Sequence, residues 1–219
     1  MAAGTNHKEP IAREAFPYML APALLAAVLW WWDLPWLSLF FLVATIAIAL
    51  FFRNPDRKSP EADGLVVSPA DGTVVEIAEN ARSTNLDRAP LKRISIFMSV
   101  FNVHVNRSPM TGRVEKITYS KGKFLDAREK DASGVNEQNS LLLKSGEDTI
   151  EVVQVAGKVA RRIACWVSEG DEMARGERFG LIHFGSRLDV YLGPEFEARV
   201  AVRARVRAGE TVIAEKRSS

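Results

Sequence analysis

This chain is short of cysteine, of histidine and of net charge. In 219 residues there is one cysteine, Cys165, and there are three histidines. A single cysteine closes no intrachain disulfide, and a zinc site built on paired cysteines is excluded. Cys165 lies in the apolar stretch Ile163-Ala164-Cys165-Trp166-Val167 and reads as a small core residue, not a catalytic thiol. The composition fits a reducing compartment. Lysine and arginine total 29 against 27 aspartate and glutamate. So near a balance carries no polyelectrolyte signal, and nucleic acid is not indicated as a partner.

Charge is scarcest in one place. The run from Met19 to Phe52 holds one formal charge, Asp33. As one straight helix it would be about 50 Å long, against roughly 30 Å for a bilayer core. Asp33-Leu34-Pro35 interrupts it, because proline disfavours a helical residue before it and removes a backbone donor. The sequence therefore predicts two short apolar helices, near 18–32 and 36–52, in a membrane-anchoring hairpin over 18–52. Trp30, Trp31, Trp32 and Trp36 cluster at the bend, as an interfacial belt would. Lys8 and Arg13 precede the hairpin, and Arg53, Arg57 and Lys58 follow it. Positive charge at both ends favours both ends on the cytoplasmic side. Each arm is short for a full span, so a spanning and a re-entrant hairpin both stay open. No small-residue cleavage site ends the first arm, which argues against a signal peptide.

Long helical periodicity is also scarce beyond the hairpin. Residues 1–17 form a polar tail and 53–63 a linker holding Pro55 and Pro60. From 64 to 219 short β-rich runs dominate: Leu65–Val67, Thr73–Ile77, Ile94–Met98, Val100–Val105, Ile150–Val155, Arg161–Val167, Phe179–Phe184, Leu188–Leu192 and Val200–Val206. Only 124–139 could hold a short helix. The expected fold is mostly β, barrel-sandwich-like small sheets with few short helices, behind an N-terminal apolar helical hairpin. The Glu-Gly-Asp and Gly-Glu cadence over 166–182 has the style of biotinyl and lipoyl carriers. No lysine stands in such a hairpin, and fold style does not assign function.

Three pieces carry chemistry: Ser68-Pro69-Ala70-Asp71-Gly72-Thr73, the stretch from Phe97 to Pro109 around His104, and Phe184-Gly185-Ser186-Arg187. Singly, each has an ordinary explanation: a turn aspartate, a histidine in a strand, a β-bend. Together, in this order behind an apolar hairpin, they resemble phosphatidylserine decarboxylase, most of all its short prokaryotic form. The resemblance runs through "FFRNPDR", "SPADGTV", "ISIFMSVFNVHVNRSP", "GKFLDA" and "NEQN" to "GERFGLIHFGSRLDVYL". The "FNVHVNRSP" and "FGSR" pieces are its most specific parts.

The resemblance implies an inactive proenzyme cut between Gly185 and Ser186 into a β chain, 1–185, and an α chain, 186–219. Ser186 would end as a covalent pyruvoyl group, with no metal and no diffusible cofactor. Its ketone would form a Schiff base with the substrate amine while phosphatidylserine loses carbon dioxide to give phosphatidylethanolamine. A serine hydroxyl needs a base, for which His104 is the candidate, with Asp71 to fix its tautomer and stabilise its cation. Gly185 allows a strained turn before the bond that breaks. The implied partners are a phospholipid membrane and the chain's own two fragments. The implied location is the bacterial inner membrane, with the domain on the cytoplasmic face. A homo-oligomer stays open.

Two positions depart from the family pattern. Other branches carry two histidines three positions apart in the second motif, where this chain has His104 and Arg107. Many relatives have threonine after the Gly-Ser pair, where this chain has Arg187. Arg107 and Arg187 are candidates for the substrate phosphate or carboxylate, with a structural role the alternative for each. Phe124, Glu137 and Asn139 are candidates for lining the headgroup site. His183, three residues before Ser186, falls on the opposite strand face and reads as an accessory or surface histidine. His7, in the polar tail, reads as uninvolved.

The rival reading is a membrane-anchored barrel-sandwich binding or carrier module. A pyruvoyl enzyme for a soluble amino acid is disfavoured by the hairpin. A serine hydrolase is disfavoured because Ser186 is not in a Gly-x-Ser-x-Gly elbow. If the hairpin serves to raise the local concentration of a bilayer substrate, removing residues 1–52 will cut turnover on vesicles far more than self-cleavage. The fraction of chain cut, measured beside turnover, tests this. Equal loss of both would make the hairpin a structural part.

Overall fold

The computed structural model describes residues 7–83, 85–86, 90–123, 125, 135–157, 162–183 and 185–217. It divides into two compact units, His7–Asp56 and the part from Arg57 onward.

In the first unit, helix α1 (Phe16–Trp31) and helix α2 (Pro35–Phe51) form an antiparallel hairpin. The break falls at Asp33, whose φ of 55° lies in the left-handed region that aspartate tolerates better than most residues. Pro35 opens α2, where a missing N–H costs nothing. Ser38 donates to the Ala26 carbonyl across the pair at 2.7 Å, and the Tyr18 ring stacks on Phe52. The base is closed: Ile11 bridges Arg53, and Asn54 donates to the carbonyls of His7 and Glu9. Arg13–Trp31 is long and apolar enough to cross a membrane; Pro35–Phe51 is shorter. Trp30, Trp31, Trp32 and Trp36 are all exposed.

The second unit is mostly β. Among the described residues an eight-stranded antiparallel sheet has the order β13-β2-β3-β11-β7-β6-β5-β9. Its members are β2 (Gly72–Ala81), β3 (Leu91–Met98), β5 (Gly112–Ser120), β6 (Gln138–Ser145), β7 (Asp148–Val155), β9 (Glu172–Met173), β11 (Ser186–Leu192) and β13 (Arg205–Val206). A three-stranded sheet joins β4 (Val105–Arg107), β10 (Arg178–Ile182) and β8 (Ile163–Cys165) in the order β4-β10-β8. Another joins β1 (Leu65–Val67), β14 (Val212–Lys216) and β12 (Phe196–Ala198).

Period-two alternation decides the faces of the large sheet. Ile94, Ile96 and Met98 of β3, Leu188, Val190 and Leu192 of β11, and Ile150 and Val152 of β7 enter the main core. The other face is buried as well, under Leu86 and Leu91, and holds Ser95, Glu151, Arg187 and Asp189.

Several expected strands are shorter than their apolar runs suggest. Val100–Phe101 is a turn, not the start of a strand: the Asn102 side chain accepts from the Ser99 N–H and hydroxyl and pins it. Phe101 is 84% exposed there. The run 200–206 is strand only at Arg205–Val206, because Arg203 takes a φ of 74° and the chain turns. The expected helix within 124–139 largely lies outside the described residues, but its last two positions, Gln138 and Asn139, are strand. β5 was hidden from the sequence because Arg113, Glu115 and Lys116 mask the alternation of a half-exposed strand.

Gly72 opens β2 against the backbone of β3. A Cβ there would stand 2.2 Å from the Phe97 carbonyl oxygen. In the uncut Ser186→Ala background, Gly72→Ala is expected to lower stability by about 1–3 kcal/mol, read as a lower urea midpoint.

Candidate active site

Each of the three sequence pieces lies where the chain passes between, or is bonded across, the β4-β10-β8 sheet and the large sheet. Backbone hydrogen bonds carry them there. Arg107 N–H donates to the Pro69 carbonyl and Val67 N–H to the Pro109 carbonyl, which fastens the Asp71 turn to β4. Val105 pairs with Leu181 of β10, and the Ile182 N–H points to the His104 carbonyl at 3.4 Å. From Ile182 the chain leaves the small sheet, and by Ser186 it is in the large one, paired opposite Met98. The peptide bond between Gly185 and Ser186 thus lies in a sheet-to-sheet crossover. Gly185 has a φ of 58°, a conformation that favours glycine. Ser186 is fully buried at the first position of β11, on the face of Leu188 and Val190. Its hydroxyl has no hydrogen-bond partner among the described residues. A buried hydroxyl left unsatisfied is costly, and such groups mark sites held for chemistry.

His104 is fully buried, and its Nδ1 lies 3.0 Å from the Asn102 carbonyl oxygen. That contact requires the neutral ring to carry its proton on Nδ1, which makes Nε2 the basic nitrogen. The tautomer is therefore set by a backbone carbonyl and not by Asp71 as the sequence suggested. The Asp71 carboxylate is instead engaged by the Arg57 guanidinium, through Nη1 and, at 2.9 Å, Nη2, and by the Ala208 N–H at 2.8 Å.

The arginines serve the framework. Arg107 is buried and donates through Nη1 to the Gly176 carbonyl at 2.9 Å. Arg187 is buried on the sheet face opposite Ser186, where Nε lies 3.0 Å from Asp189 Oδ1 and Nη2 donates to Oδ2 at 3.2 Å. His183 is buried, not at the surface as expected. Phe124 lies outside the described residues. Asn139 is buried and donates to Gln154, which donates to Asn106, whose amide reaches Met98 Sδ at 3.7 Å. Gln154 and Asn106 were passed over in the sequence, where one polar residue among apolar neighbours looks like a solvated position. The Glu137 carbonyl accepts from Ala156 N–H, at the same sheet end as Ser186. The Glu137 side chain bonds Tyr119, which pushes the phenol pKa up. Burial likewise raises the Cys165 thiol. Among the described residues no group of three or more His, Cys, Asp or Glu could hold a metal ion.

A sequence profile of the family described as phosphatidylserine decarboxylase matches residues 45–214. A protein named phosphatidylserine decarboxylase proenzyme, from Geotalea uraniireducens (strain Rf4), is 48% identical over 209 residues, covering 95% of this chain and 97% of its own. The chain belongs to the phosphatidylserine decarboxylase family. Ser186 is thus a buried serine after a left-handed glycine, and His104, just before β4, is a buried histidine whose Nδ1 faces a carbonyl.

The Arg187–Asp189 pair backs β11 without facing Ser186. Removing one partner strands a buried charge, so Asp189→Ala is expected to cost about 3–5 kcal/mol in the uncut Ser186→Ala chain. Replacing both, Arg187→Met with Asp189→Leu, is expected to cost less than the single change. Urea unfolding of the two variants checks the order.

Proposed function

We propose that this chain is a self-cleaving proenzyme that decarboxylates phosphatidylserine to phosphatidylethanolamine with a pyruvoyl group made from Ser186. The observation that carries the reading is the Ser186 hydroxyl, buried and without a hydrogen-bond partner among the described residues, directly after Gly185 at a φ of 58°.

In self-cleavage the Ser186 hydroxyl gives its proton to His104 Nε2 as the oxygen adds to the Gly185 carbonyl carbon. The C–N bond breaks, the nitrogen of residue 186 takes up a proton, and an ester remains. Loss of the residue 186 α-proton expels the Gly185 carboxylate and leaves dehydroalanine. Its imine tautomer takes up water and releases ammonia, which leaves the pyruvoyl ketone at the head of the α chain. Asp71, its carboxylate held by Arg57 and the Ala208 N–H, is read as a supporting group for the step.

The pyruvoyl group supplies an electron-withdrawing carbonyl that accepts the electron pair released as carbon dioxide leaves an amine-bearing substrate. The chain's residues fit such a group, since the serine that becomes it is enclosed and His104, just before β4, is buried with its Nδ1 held by a carbonyl. His104 then returns a proton to the substrate α-carbon. Glu137 and Asn139, at the same end of the sheet, are candidates for lining the headgroup site, with the Glu137 carboxylate suited to the substrate amine. The apolar hairpin keeps the domain on the bilayer that contains the substrate. The charges of Lys8, Arg13, Arg53 and Lys58 favour the cytoplasmic face of the bacterial inner membrane.

Intact mass of the purified protein beside Ser186→Ala tests the reading. The parent is expected as two fragments meeting at Gly185, the smaller headed by a ketone, with carbon dioxide released from phosphatidylserine vesicles. Ser186→Ala is expected as one inert chain. A parent that stays whole after long incubation with membranes would sink the proposal.

A further inference from the structure

The polar segment after the hairpin reads as a tether, and Arg57 as one of its interfacial charges. The structure gives Arg57 another place. Its side chain is 8% exposed, and its guanidinium grips both oxygens of the Asp71 carboxylate. Nη1 also donates to the Ala208 carbonyl at 2.9 Å, while the Ala208 N–H donates to Asp71 Oδ1 at 2.8 Å. Arg57, Asp71 and Ala208 thus form a closed ring of hydrogen bonds that fixes the plane of the carboxylate. Two residues further on, the Ser59 hydroxyl donates to the Gly209 carbonyl at 2.6 Å.

The slot that takes this segment depends on missing side chains. Gly176 and Gly209 have φ values of 79° and 75°. A Cβ on Gly176 would stand 2.0 Å from Ser59 Oγ, and a Cβ on Gly209 3.0 Å from Arg107 Cδ. Glycine at 176 leaves room for Ser59 to lie against the turn that carries Ala208, and glycine at 209 leaves room for the Arg107 side chain behind it. A flexible tether needs no such fit. A planar fork meeting a carboxylate at two points, out of water, is the arrangement that sets orientation as well as charge.

We propose that Arg57 is a positioning residue for self-cleavage, acting by holding the Asp71 carboxylate, so that the chain becomes competent to cut only once residues 57–59 have docked. This rests on the reading of Asp71 as a supporting group in the Gly185–Ser186 cut. Arg57 and Asp71 precede the cut and Ala208 and Gly209 follow it, so the same ring also ties the two products together.

The test uses the full chain and follows the fraction cut at Gly185 with time, by mass. Arg57→Ala is expected to cut on the order of a hundredfold more slowly, the scale of a misplaced catalytic group. Arg57→Lys, which keeps the charge and loses the fork, is expected to fall in between. Guanidinium ion at millimolar concentration is expected to restore cleavage to Arg57→Ala, while urea, planar and neutral, is not. A merely space-filling role would not separate the two additives. Parental cleavage by Arg57→Ala overturns the proposal, as does a loss that guanidinium fails to relieve or that urea relieves equally. If near-ultraviolet circular dichroism shows that Arg57→Ala does not fold, Arg57→Lys decides: folded and cut at the parental rate, it overturns the proposal. Asp71→Asn runs alongside. Normal cleavage there removes the reading of Asp71 itself, whereas arrested Asp71→Asn beside normal Arg57→Ala removes only the role of Arg57.

Discussion

The ladders that β11 makes with β3 on one side and β7 on the other hold the chemistry of the domain in place. Ser186 pairs opposite Met98, and the next residue, Arg187, pairs with both Phe97 and Val155. A side chain at the first position of a doubly paired strand, here the proposed nucleophile Ser186, has little freedom to drift. The residue before it is outside the strand, in a left-handed turn that side-chain sterics would otherwise oppose. Stiffness on one side of the bond and a tolerant turn on the other are what an intramolecular attack asks of a backbone.

Keeping that strand buried on both faces has a polar cost, and the protein meets it by pairing. Behind β11, Arg187 is set against Asp189. On the same face Glu151 is wholly buried, yet accepts hydrogen bonds from Ser83, Ser140 and Asn85. Ser83 and Asn85 come from the segment after β2, so the buried carboxylate also fastens that segment over the sheet. On the core face, the amide chain Asn139–Gln154–Asn106 links β6, β7 and β4. A network of this kind stabilises only when its members are matched, and then it fixes one register of the strands.

Much of this was legible in the residues. The charge-free run with Asp33-Leu34-Pro35 in its middle became two helices and a turn, because both the proline effect and the lack of charge act locally. Asp71, His104 and Gly185-Ser186 each lie where the small sheet and the large sheet are joined. What stayed hidden depends on partners far away in sequence. The alternation that would mark β5 is blurred by charges on its open face. Arg57 lies between two prolines in a polar stretch, and nothing nearby says that Asp71 is waiting for it. Arg107 and Arg187 look like anion binders from their chemistry, and only the Gly176 carbonyl and the Asp189 carboxylate reveal what they hold. His104 was assigned a carboxylate partner by analogy of roles, when a carbonyl two residues back does that work.

The position of β11 has a further consequence for the life of the molecule. Under the proposed cut before Ser186, β11, β12, β13 and β14 belong to a short separate chain. That chain contributes β11 and β13 to the large sheet and β12 and β14 to the sheet containing β1. The mature protein is then two polypeptides sharing one fold. Unfolding would set the short chain free, and refolding would become an encounter between two molecules, slower as the solution is diluted. The information for folding was used while the chain was whole. The working form would persist through a high barrier to unfolding, and a molecule that once crosses it has no easy way back.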